Sequence, residues 1–291
     1  MFRVRRLLAP FVLCIALLFS EAQAFTIAWL SDTQNYHNAY KPIFDGMTQW
    51  IADNREALDI RFVFHTGDVV GSWSSEDQWR QARESMDILS IASIPFLTVC
   101  GNHDIGYRMN YANFLKYVLS LRPASMSQEY GDTGSRYELF SANGRDYIFM
   151  GIAFSNKGPS EDEVNWINGV LRQYSSRDAI IITHSYLKKS ASYTTQGKAI
   201  FEKIVKANPN VFLVLCGHCR DISYKNVQLD DDGDGNPDRT VYAILSNFQG
   251  GKAGGGGYMR ILDFRDSDIY IYTYSPYYDS CEYPKGKTEA T

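Results

Sequence analysis

Five apolar, strand-like segments of this chain each end in a side chain that can bind a metal ion. The densest group is Gly101-Asn102-His103-Asp104, which places an amide, an imidazole and a carboxylate directly after an apolar run over residues 94–100. Carboxylate, amide and imidazole ligands together suit Mn, Fe or Zn. Asp68, after another such segment, can bridge two ions about 3.5–4 Å apart, a separation suited to phosphoryl transfer. The complete set is Asp32, Gln34, Asp68, Asn102, His103, Asp104, His184 and His218.

The elements that position these side chains alternate in type along the first part of the chain. Strand patterns cover residues 25–30, 60–66 and 96–100, and helical patterns cover residues 40–54, 76–91 and 109–121. This alternation predicts βαβ units and a parallel sheet. In such sheets ligands bind beyond the carboxyl ends of the strands. We therefore expect the metal-type side chains to meet at that edge.

The second half of the chain predicts a different arrangement. Asn143-Gly144 lies between two β patterns and is a strong hairpin signal. Helices are predicted over 161–174 and 195–207, strands over 136–140, 147–154, 179–183 and 211–216, and antiparallel strands over 222–228, 240–245, 257–264 and 269–273. Together the patterns predict an α/β fold, a four-layer α/β/β/α sandwich of two mixed β-sheets flanked by helices.

In type and order, the motifs Asp32-x-Gln34, Gly67-Asp68, Gly101-Asn102-His103-Asp104, His184 and Gly217-His218 resemble those of the calcineurin-like metallophosphoesterase family. The run over residues 29–33 and the Gly-rich C-terminal region look like a secreted bacterial branch with a D-x-Q first motif. The resemblance implies one metal site made by Asp68, Asn102, His184 and His218, all of which are present.

The resemblance also implies a second metal site, and there the chain departs from the family. That site would use Asp32 and Asp68 with residues 34 and 220, which are usually histidines but here are Gln34 and Arg220. Gln34 offers an amide oxygen, whereas the protonated guanidinium of Arg220 has no acceptor. This departure leaves three alternatives. The second site would hold its ion with Asp32, Asp68, Gln34 and water, or Arg220 would bind a substrate phosphate oxygen beside a single ion. In the third alternative, catalysis is lost. The expected cofactor is one or two divalent or trivalent transition-metal ions, Mn, Fe or Zn.

The chemistry that the resemblance implies is hydrolysis of a small phosphate ester, a monoester or a diester, by a metal-bound hydroxide. His103 would be the general acid that protonates the leaving group, and Asp104 would orient it. Asn102 and Arg220 would contact the substrate. The alternative is an exported metal- or phosphate-binding protein on the same fold with lost or weak catalysis.

The first 24 residues have the pattern of a secretory signal peptide. Basic residues near the start precede an apolar run over residues 7–19, and Ala22-Gln23-Ala24 matches an A-x-A cleavage site. The apolar run is shorter than the roughly 20 residues of a membrane span. We expect cleavage after Ala24, a periplasmic or secreted location, and one domain over residues 25–291. An uncleaved N-terminal anchor is the alternative.

The mature chain would be acidic. Without the leader, 26 Lys and Arg face 32 Asp and Glu, a net charge of −6 at neutral pH. That balance argues against a nucleic-acid-binding surface. It is compatible with a small phosphate ester, because bound metal reverses the local field. No membrane span is expected in the mature chain.

The remaining histidines and the cysteines have simpler interpretations. His65 lies inside a strand and is expected to pack or hydrogen-bond there, and His37 lies in a loop near Asp32. The segment Cys216-Gly217-His218-Cys219 spells C-x-x-C, but it lacks the strand and helix context of a thioredoxin-like redox motif. We therefore expect buried free thiols at Cys100 and Cys216.

An acidic run begins like a calcium loop. Asp230, Asp232 and Asp234 have the required spacing and Gly235 follows them, but Val241 occupies the position of the usual final acidic ligand. No helical pattern precedes the run. A solvated hairpin tip between residues 228 and 240 is the favoured interpretation, and a calcium site at the three aspartates is the alternative. A glycine-rich loop over residues 250–257 lacks the signature of a P-loop and is expected at the rim of the site.

Overall fold

The computed structural model describes residues 24–121, 128–266 and 268–281. The predicted leader lies outside these residues apart from Ala24. In chain order, the helices and strands are β1 (Ala24–Leu30), α1 (Lys41–Asp53), β2 (Ile60–His65), α2 (Glu76–Ile91), β3 (Phe96–Thr98), α3 (Asn102–Ile105), α4 (Ala112–Tyr117), β4 (Gln128–Tyr130), β5 (Ser135–Ala142), β6 (Arg145–Ile152), α5 (Glu161–Gln173), β7 (Asp178–Thr183), α6 (Thr195–Ile200), β8 (Val211–Cys216), β9 (Asp221–Leu229), β10 (Arg239–Asn247), β11 (Met259–Arg265) and β12 (Asp268–Tyr274).

The strands form two mixed sheets, and the predicted α/β sandwich is confirmed. The first sheet has the order β12-β11-β1-β2-β3, and the second has the order β4-β5-β6-β7-β8-β10-β9. Strands β1, β2 and β3 run parallel to one another, as do β6, β7, β8 and β10. Both sheets therefore present carboxyl ends of parallel strands, which is where the sequence places the metal-type side chains.

Alternation along the strands fills three apolar layers. In β1, Ile27 and Trp29 pack with residues of both sheets, among them Phe149 and Ile180, to form the layer between the sheets. Ala28, on the opposite face of β1, belongs to the layer beneath α1 and α2. A third layer lies between the second sheet and α5 and α6. Strands buried on both faces explain why these segments are continuously apolar.

The structure differs from the sequence-based prediction in several places, one of which is the short helix α3 (Asn102–Ile105). Strand β10 was expected to be antiparallel throughout, but it pairs in parallel with β8 and antiparallel with β9. The helix predicted from residue 109 begins only at Ala112, because Met109 has a φ of 53°, which an α-helix does not accommodate. The helix predicted over 195–207 changes after Ile200 to a π-helical turn, Phe201–Val205. Strand β4, which is partly exposed, was not predicted.

Within the described residues, no helix is both long enough and apolar enough to cross a membrane.

Candidate metal centre

The predicted ligands come together at one edge of the sandwich. Asp32 and Gln34 follow β1, Asp68 follows β2 and Asn102 follows β3, while His184 and His218 follow β7 and β8 of the second sheet. The strand ends are tied to one another by backbone hydrogen bonds, from Asp32 N to Gly67 O (3.1 Å) and from Gly217 N to His184 O (3.0 Å). Hydrogen bonds from His184 Nδ1 to Thr66 O (2.8 Å) and from His218 N to the carboxylate of Asp32 (3.2 Å) join the two sheets at this edge.

Three of the predicted ligands converge on an atom of a fourth, Nε2 of His184. This nitrogen lies 3.1 Å from Oδ1 of Asn102, 3.3 Å from Oδ1 of Asp68 and 3.2 Å from Nδ1 of His218. The ligand atoms of Asp68, His184 and His218 all lie within 4.8 Å of one another. His184 and Asp68 are buried, with 0% and 1% of their surface exposed.

These spacings fit a bound metal ion. Ligand atoms about 2.1 Å from one ion are about 3.0 Å apart at right angles and about 3.4 Å apart at tetrahedral angles. The three separations around His184 Nε2, from 3.1 to 3.3 Å, lie within that range. One proton on Nε2 cannot satisfy three acceptors at once, whereas one cation can. The residues present therefore fit a transition-metal ion.

The protonation of the two histidines agrees with this interpretation. Nδ1 of His184 donates to the carbonyl of Thr66 (2.8 Å), which directs the lone pair of Nε2 into the site, as in metal-binding histidines. Burial alone would lower the pKa of His184, but Asp68 and Asp32 raise it to about 9. Burial, together with the charge on His184, lowers the pKa of His218 to about 4. A buried positive charge is thus favoured at this point, and a metal ion would replace the proton.

Three residues of the site are held in left-handed backbone conformations. The φ angles are 52° at Asp32, 54° at Asp68 and 70° at His218. At His218 the turn is closed by a hydrogen bond from Cys219 N to Gly217 O (2.9 Å), the tight three-residue γ-turn. Such conformations are costly for residues other than glycine and cluster at functional sites.

Glycines precede the ligands because no side chain fits there. A Cβ on Gly101 would lie 2.1 Å from Oδ1 of Asp68, and one on Gly217 would lie 2.3 Å from Oδ2 of Asp32. The glycines of the Gly-Asn-His-Asp and Gly-His motifs therefore allow the turns to approach the carboxylates. The backbone amides of His103 and His218, two and one residues further along these turns, then donate to Asp68 and Asp32.

Asp32 and Gln34 form the less complete side of the centre. Both oxygens of Asp32 accept from His218 N (3.2 Å each), and Oδ2 also accepts from Ser31 Oγ (2.5 Å). Burial, with Asp68 as a further cause, raises the pKa of Asp32 to about 7. Nε2 of Gln34 donates to Oδ2 of Asp68 (3.1 Å), while Oε1 is buried without a hydrogen-bond partner. The unpartnered oxygen can serve as a further ligand.

Arg220 is exposed at the margin of the centre. Its Cδ is 3.4 Å from the position that a Cβ on Gly250 would occupy, so the side chain lies along the glycine-rich loop. That loop is tied to the site through Asn35, which donates to Gln249 O (3.3 Å). Gly254 of the same loop lies against Asn35. The loop therefore lies beside residues that follow the metal-type side chains at 34 and 218.

His103 lies beside the centre, on the first turn after β3. Its backbone N donates to Oδ1 of Asp68 (2.9 Å), and its exposed ring donates from Nδ1 to the carbonyl of Gly71 (3.0 Å). Asp104 was expected to orient this ring, but its carboxylate forms other hydrogen bonds. It is fully buried and accepts instead from the amides of Gly101 (2.7 Å) and Val70 (3.0 Å). The carbonyl of Gly71 orients the ring, and the sequence gives no signal for a backbone acceptor.

Asn247 is a member of the site that sequence reasoning missed. It is buried at the carboxyl end of β10, donates from Nδ2 to His218 O (3.1 Å) and accepts from Gln249 N (2.9 Å). It therefore braces the left-handed turn that presents His218. Recognising β10 as a parallel strand would have drawn attention to this residue, since it too is a polar side chain at a strand end.

The other singled-out residues lie apart from the four converging ligands. His65 is fully buried, with Nε2 3.0 Å from Oγ1 of Thr33 and Nδ1 accepting from Gly67 N (3.1 Å), which confirms a structural role. His37 pairs with its neighbour Asn38 (3.1 Å). The four described cysteines are Cys100, Cys216, Cys219 and Cys281, and all are free, with the first two buried as expected.

The acidic run forms an exposed hairpin tip between β9 and β10. Its carboxylates accept from amides of the same turn, including those of Gly233 (2.7 Å) and Gly235 (2.8 Å) on Asp230. The three carboxylates that come together are those of Asp230, Asp232 and Asp238, and Asp234 is not among them. The turn's own hydrogen bonds account for this arrangement.

The family model of the calcineurin-like phosphoesterases matches residues 25–219 of this chain. The chain belongs to the calcineurin-like phosphoesterase family. The matched range includes every residue of the candidate centre except Arg220, Asn247 and the glycine-rich loop. Members of the family are metal-dependent phosphoesterases that use a dinuclear transition-metal site. The centre built by Asp68, His184 and His218 is the corresponding candidate in this member.

A similar protein is known from Bacillus subtilis (strain 168). It is the uncharacterized protein YvnB, which is 41% identical to this phosphoesterase-family chain over 259 residues and matches 87% of the chain. The match covers 20% of YvnB, so the chain spans about a fifth of the length of that relative.

Solved structures of the same fold have different roles. GAP50, described as the anchor in the inner membrane complex of Plasmodium, has a TM-score of 0.58 at 14% identity, covering 89% of this chain and 87% of GAP50. Purple acid phosphatase PPD1 of yellow lupin has a TM-score of 0.58 at 14% identity, with coverage of 90% and 53%. The 5'-nucleotidase of Candida albicans has a TM-score of 0.55 at 12% identity, with coverage of 90% and 54%. At these identities the likeness shows the fold alone.

Proposed function

We propose that this protein is a metal-dependent hydrolase that cleaves a small phosphate ester. The observation that carries the proposal is the convergence of Asn102 Oδ1, Asp68 Oδ1 and His218 Nδ1 on Nε2 of His184, at 3.1 to 3.3 Å. Membership of the calcineurin-like phosphoesterase family supports the reaction class. Asp68, Asn102, His184 and His218 would hold a transition-metal ion, which would lower the pKa of a water and offset the charge of the transferring phosphoryl group.

Residues beside the metal ligands would bind the substrate and move the proton. We assign His103 as the general acid, because its Nδ1 is held by Gly71 O and its Nε2 remains available at an exposed position. We assign Arg220 to a phosphate oxygen of the substrate, because its exposed guanidinium-bearing side chain lies along the glycine-rich loop, two residues after His218. Asn102, partly exposed next to His103, would contact the same group.

A second ion would be held by oxygen atoms alone. Asp32, Asp68 and Gln34 can provide carboxylate and amide oxygens, and the buried, unpartnered Oε1 of Gln34 favours this two-ion form. Gln34 Nε2 already occupies Oδ2 of Asp68, so this ion should bind more weakly than the first. Metal analysis after dialysis tests the assignment, since one equivalent of metal should be lost first.

Activity of metal-loaded protein tests the function directly. Protein stripped with chelator and reloaded with Mn, Zn or Fe should hydrolyse p-nitrophenyl phosphate or bis(p-nitrophenyl) phosphate. Replacing His184 with alanine should lower the rate by at least about 100-fold, in line with the loss of a metal ligand. The matched control is His37→Ala, which removes a histidine whose ring pairs with its neighbour Asn38 and is not one of the converging ligands. Equal activity in the two variants would exclude this centre.

A second candidate function is metal or phosphate binding without turnover. Gln34 and Arg220 favour it, because they replace two residues that are usually histidine ligands in the resemblance described above. The fold is compatible with both functions, since a fold does not determine an activity. This candidate predicts stoichiometric metal binding at His184 and no metal-stimulated hydrolysis of a monoester, a diester or a nucleotide.

We also propose that the protein is exported and belongs to a secreted branch with a D-x-Q first motif. The support is the basic start, the apolar run over residues 7–19 and the sequence Ala22-Gln23-Ala24. The mature chain would begin at Phe25, one residue into β1. Mass spectrometry of the protein recovered from periplasm and medium tests this, because an uncleaved N-terminus would contradict it.

A further inference from the structure

The loop that orients His103 is itself held by side chains from two directions. Gly71 O accepts from Nδ1 of His103, so the position of this carbonyl decides the ring's orientation. From one side, Asp104 accepts from Val70 N (3.0 Å). From the other side, Oε1 of Gln78 accepts from Gly71 N (3.0 Å) and from Ser72 N (2.9 Å).

The side chain of Gln78 does not form the hydrogen bond that its sequence position predicts. Ser75-Glu76-Asp77-Gln78 has the S-x-x-Q pattern of a capping box, in which the glutamine reaches back to the amide of the serine. Ser75 does cap α2, accepting from Gln78 N (3.3 Å). The reciprocal bond is replaced, because Ser75 N donates to Ser72 O (3.0 Å) and the Gln78 side chain holds the loop instead.

We propose that Gln78 is a positioning residue for His103, acting through the backbone of Gly71. The proposal rests on the function proposed above, in which His103 delivers the proton to the leaving group. Gly71 has no side chain with which to fix itself, and the exposed ring of His103 is held at Nδ1 by this one carbonyl. Without the Gln78 oxygen, two amides lose their acceptor and the carbonyl is free to turn away.

The variants separate positioning from folding. Gln78→Leu removes the acceptor at similar size, and Gln78→Glu keeps an oxygen at the same distance along the side chain. Gln78→Ala gives the same information if the leucine variant does not fold. The matched control is Gln81→Leu, on the same helix, where Oε1 accepts from Asn38 N (2.7 Å) instead of from the loop.

The orientation of the ring can be read without any activity. In zinc-loaded protein labelled with ¹⁵N-histidine, His103 should be the Nδ1–H tautomer, assigned by the loss of its signals in His103→Asn. The chain has five histidines, so the signals are few enough to resolve. Gln78→Leu should convert His103 to a mixture of tautomers, and Gln78→Glu and Gln81→Leu should not. An unchanged tautomer in Gln78→Leu overturns the proposal.

Kinetics provide a second, independent measurement. p-Nitrophenolate leaves without a proton, whereas an alkoxide such as that of glycerol 2-phosphate needs the acid. Gln78→Leu should lower kcat for glycerol 2-phosphate by about tenfold, part of the 10²–10⁴-fold effect of a general acid, and kcat for p-nitrophenyl phosphate by less than about twofold. Equal losses on both substrates would indicate a purely structural role and overturn the proposal. If wild-type protein hydrolyses neither monoester, the tautomer alone decides the role of Gln78, and the proposed function fails only if bis(p-nitrophenyl) phosphate is not hydrolysed either.

Discussion

A methyl group at Gly101 would collide with the carboxylate at the middle of the candidate metal centre. In Gly101→Ala the new Cβ would lie 2.1 Å from Oδ1 of Asp68, 2.4 Å from its N and 2.8 Å from its Cγ. Real Cβ atoms do not sustain contacts under 3.0 Å. One of the three atoms belongs to the backbone, so a change of side-chain rotamer at Asp68 cannot relieve the collision. Either the turn after β3 or the turn after β2 must move.

The size of the effect follows from two contributions. Overpacking a tight interior site costs about 1–3 kcal/mol. Moving the turns apart also breaks the hydrogen bond from His103 N to the Asp68 carboxylate, for which about 1.5–3 kcal/mol is typical of a charged acceptor. The free energy of unfolding should therefore fall by roughly 3–5 kcal/mol, which lowers Tm by about 10 °C in a domain of this size.

Thermal unfolding of metal-free and metal-loaded protein measures this directly. Gly101→Ala should lower Tm in both forms, and the gain in Tm on adding metal should shrink, because Asp68 is displaced from its partners. The control is Gly169→Ala in α5, where a new Cβ meets nothing within 4 Å and should stabilise the helix by up to about 1 kcal/mol. A Gly101→Ala variant with wild-type Tm and wild-type metal stabilisation would refute the close approach.

Three further predictions address other parts of the site. Burial, and next the charge of His184, lower the pKa of His65 to about 3. Below about pH 6.5 the unfolded chain therefore binds a proton at His65 that the folded chain does not bind, and the free energy of unfolding falls as the pH falls. The free energy of unfolding of metal-free protein, measured in urea, should fall between pH 7 and pH 5, and His65→Gln should remove about 2 kcal/mol of that fall. An unchanged dependence of this free energy on pH would be contrary to the prediction. Asn247→Leu should weaken metal binding by about tenfold in calorimetry, because the turn at His218 loses its brace, and unchanged affinity would argue against that role. Arg220→Ala should raise KM for the phosphate ester by about tenfold at unchanged metal content, and an unaltered KM would remove Arg220 from the substrate site.

The ligands could be predicted from the sequence because their placement depends on topology. Apolar runs that end in Asp68, Asn102, His184 or His218 predict parallel strands, and the carboxyl ends of parallel strands meet at one edge whatever the details of packing. The boundaries of helices could also be predicted where the sequence contains a capping residue. Ser75 caps α2, whose bounds Glu76–Ile91 agree with the predicted 76–91.

The surroundings of the ligands could not be predicted, because they depend on the backbone. His103 donates to the backbone carbonyl of Gly71, and Asp104 accepts from backbone amides. Every residue type has these backbone groups, so the side chains in the sequence do not indicate either contact. The left-handed φ angles of Asp32 and Asp68 are equally invisible in a list of side chains. Asn247 escapes prediction for a different reason, since the pattern of its strand predicts only antiparallel pairing, whereas β10 pairs in parallel with β8.

We propose that Asp68, Asn102, His184 and His218 hold a catalytic metal ion. Anomalous diffraction from crystals of protein purified without added metal, recorded at the absorption edges of Mn, Fe and Zn, tests it most directly. We expect a peak about 2.1 Å from Nε2 of His184 and Nδ1 of His218, with an oxygen of Asp68 and of Asn102 as further ligands. A fully occupied peak elsewhere, with His184 Nε2 hydrogen-bonded and free of metal, would contradict it.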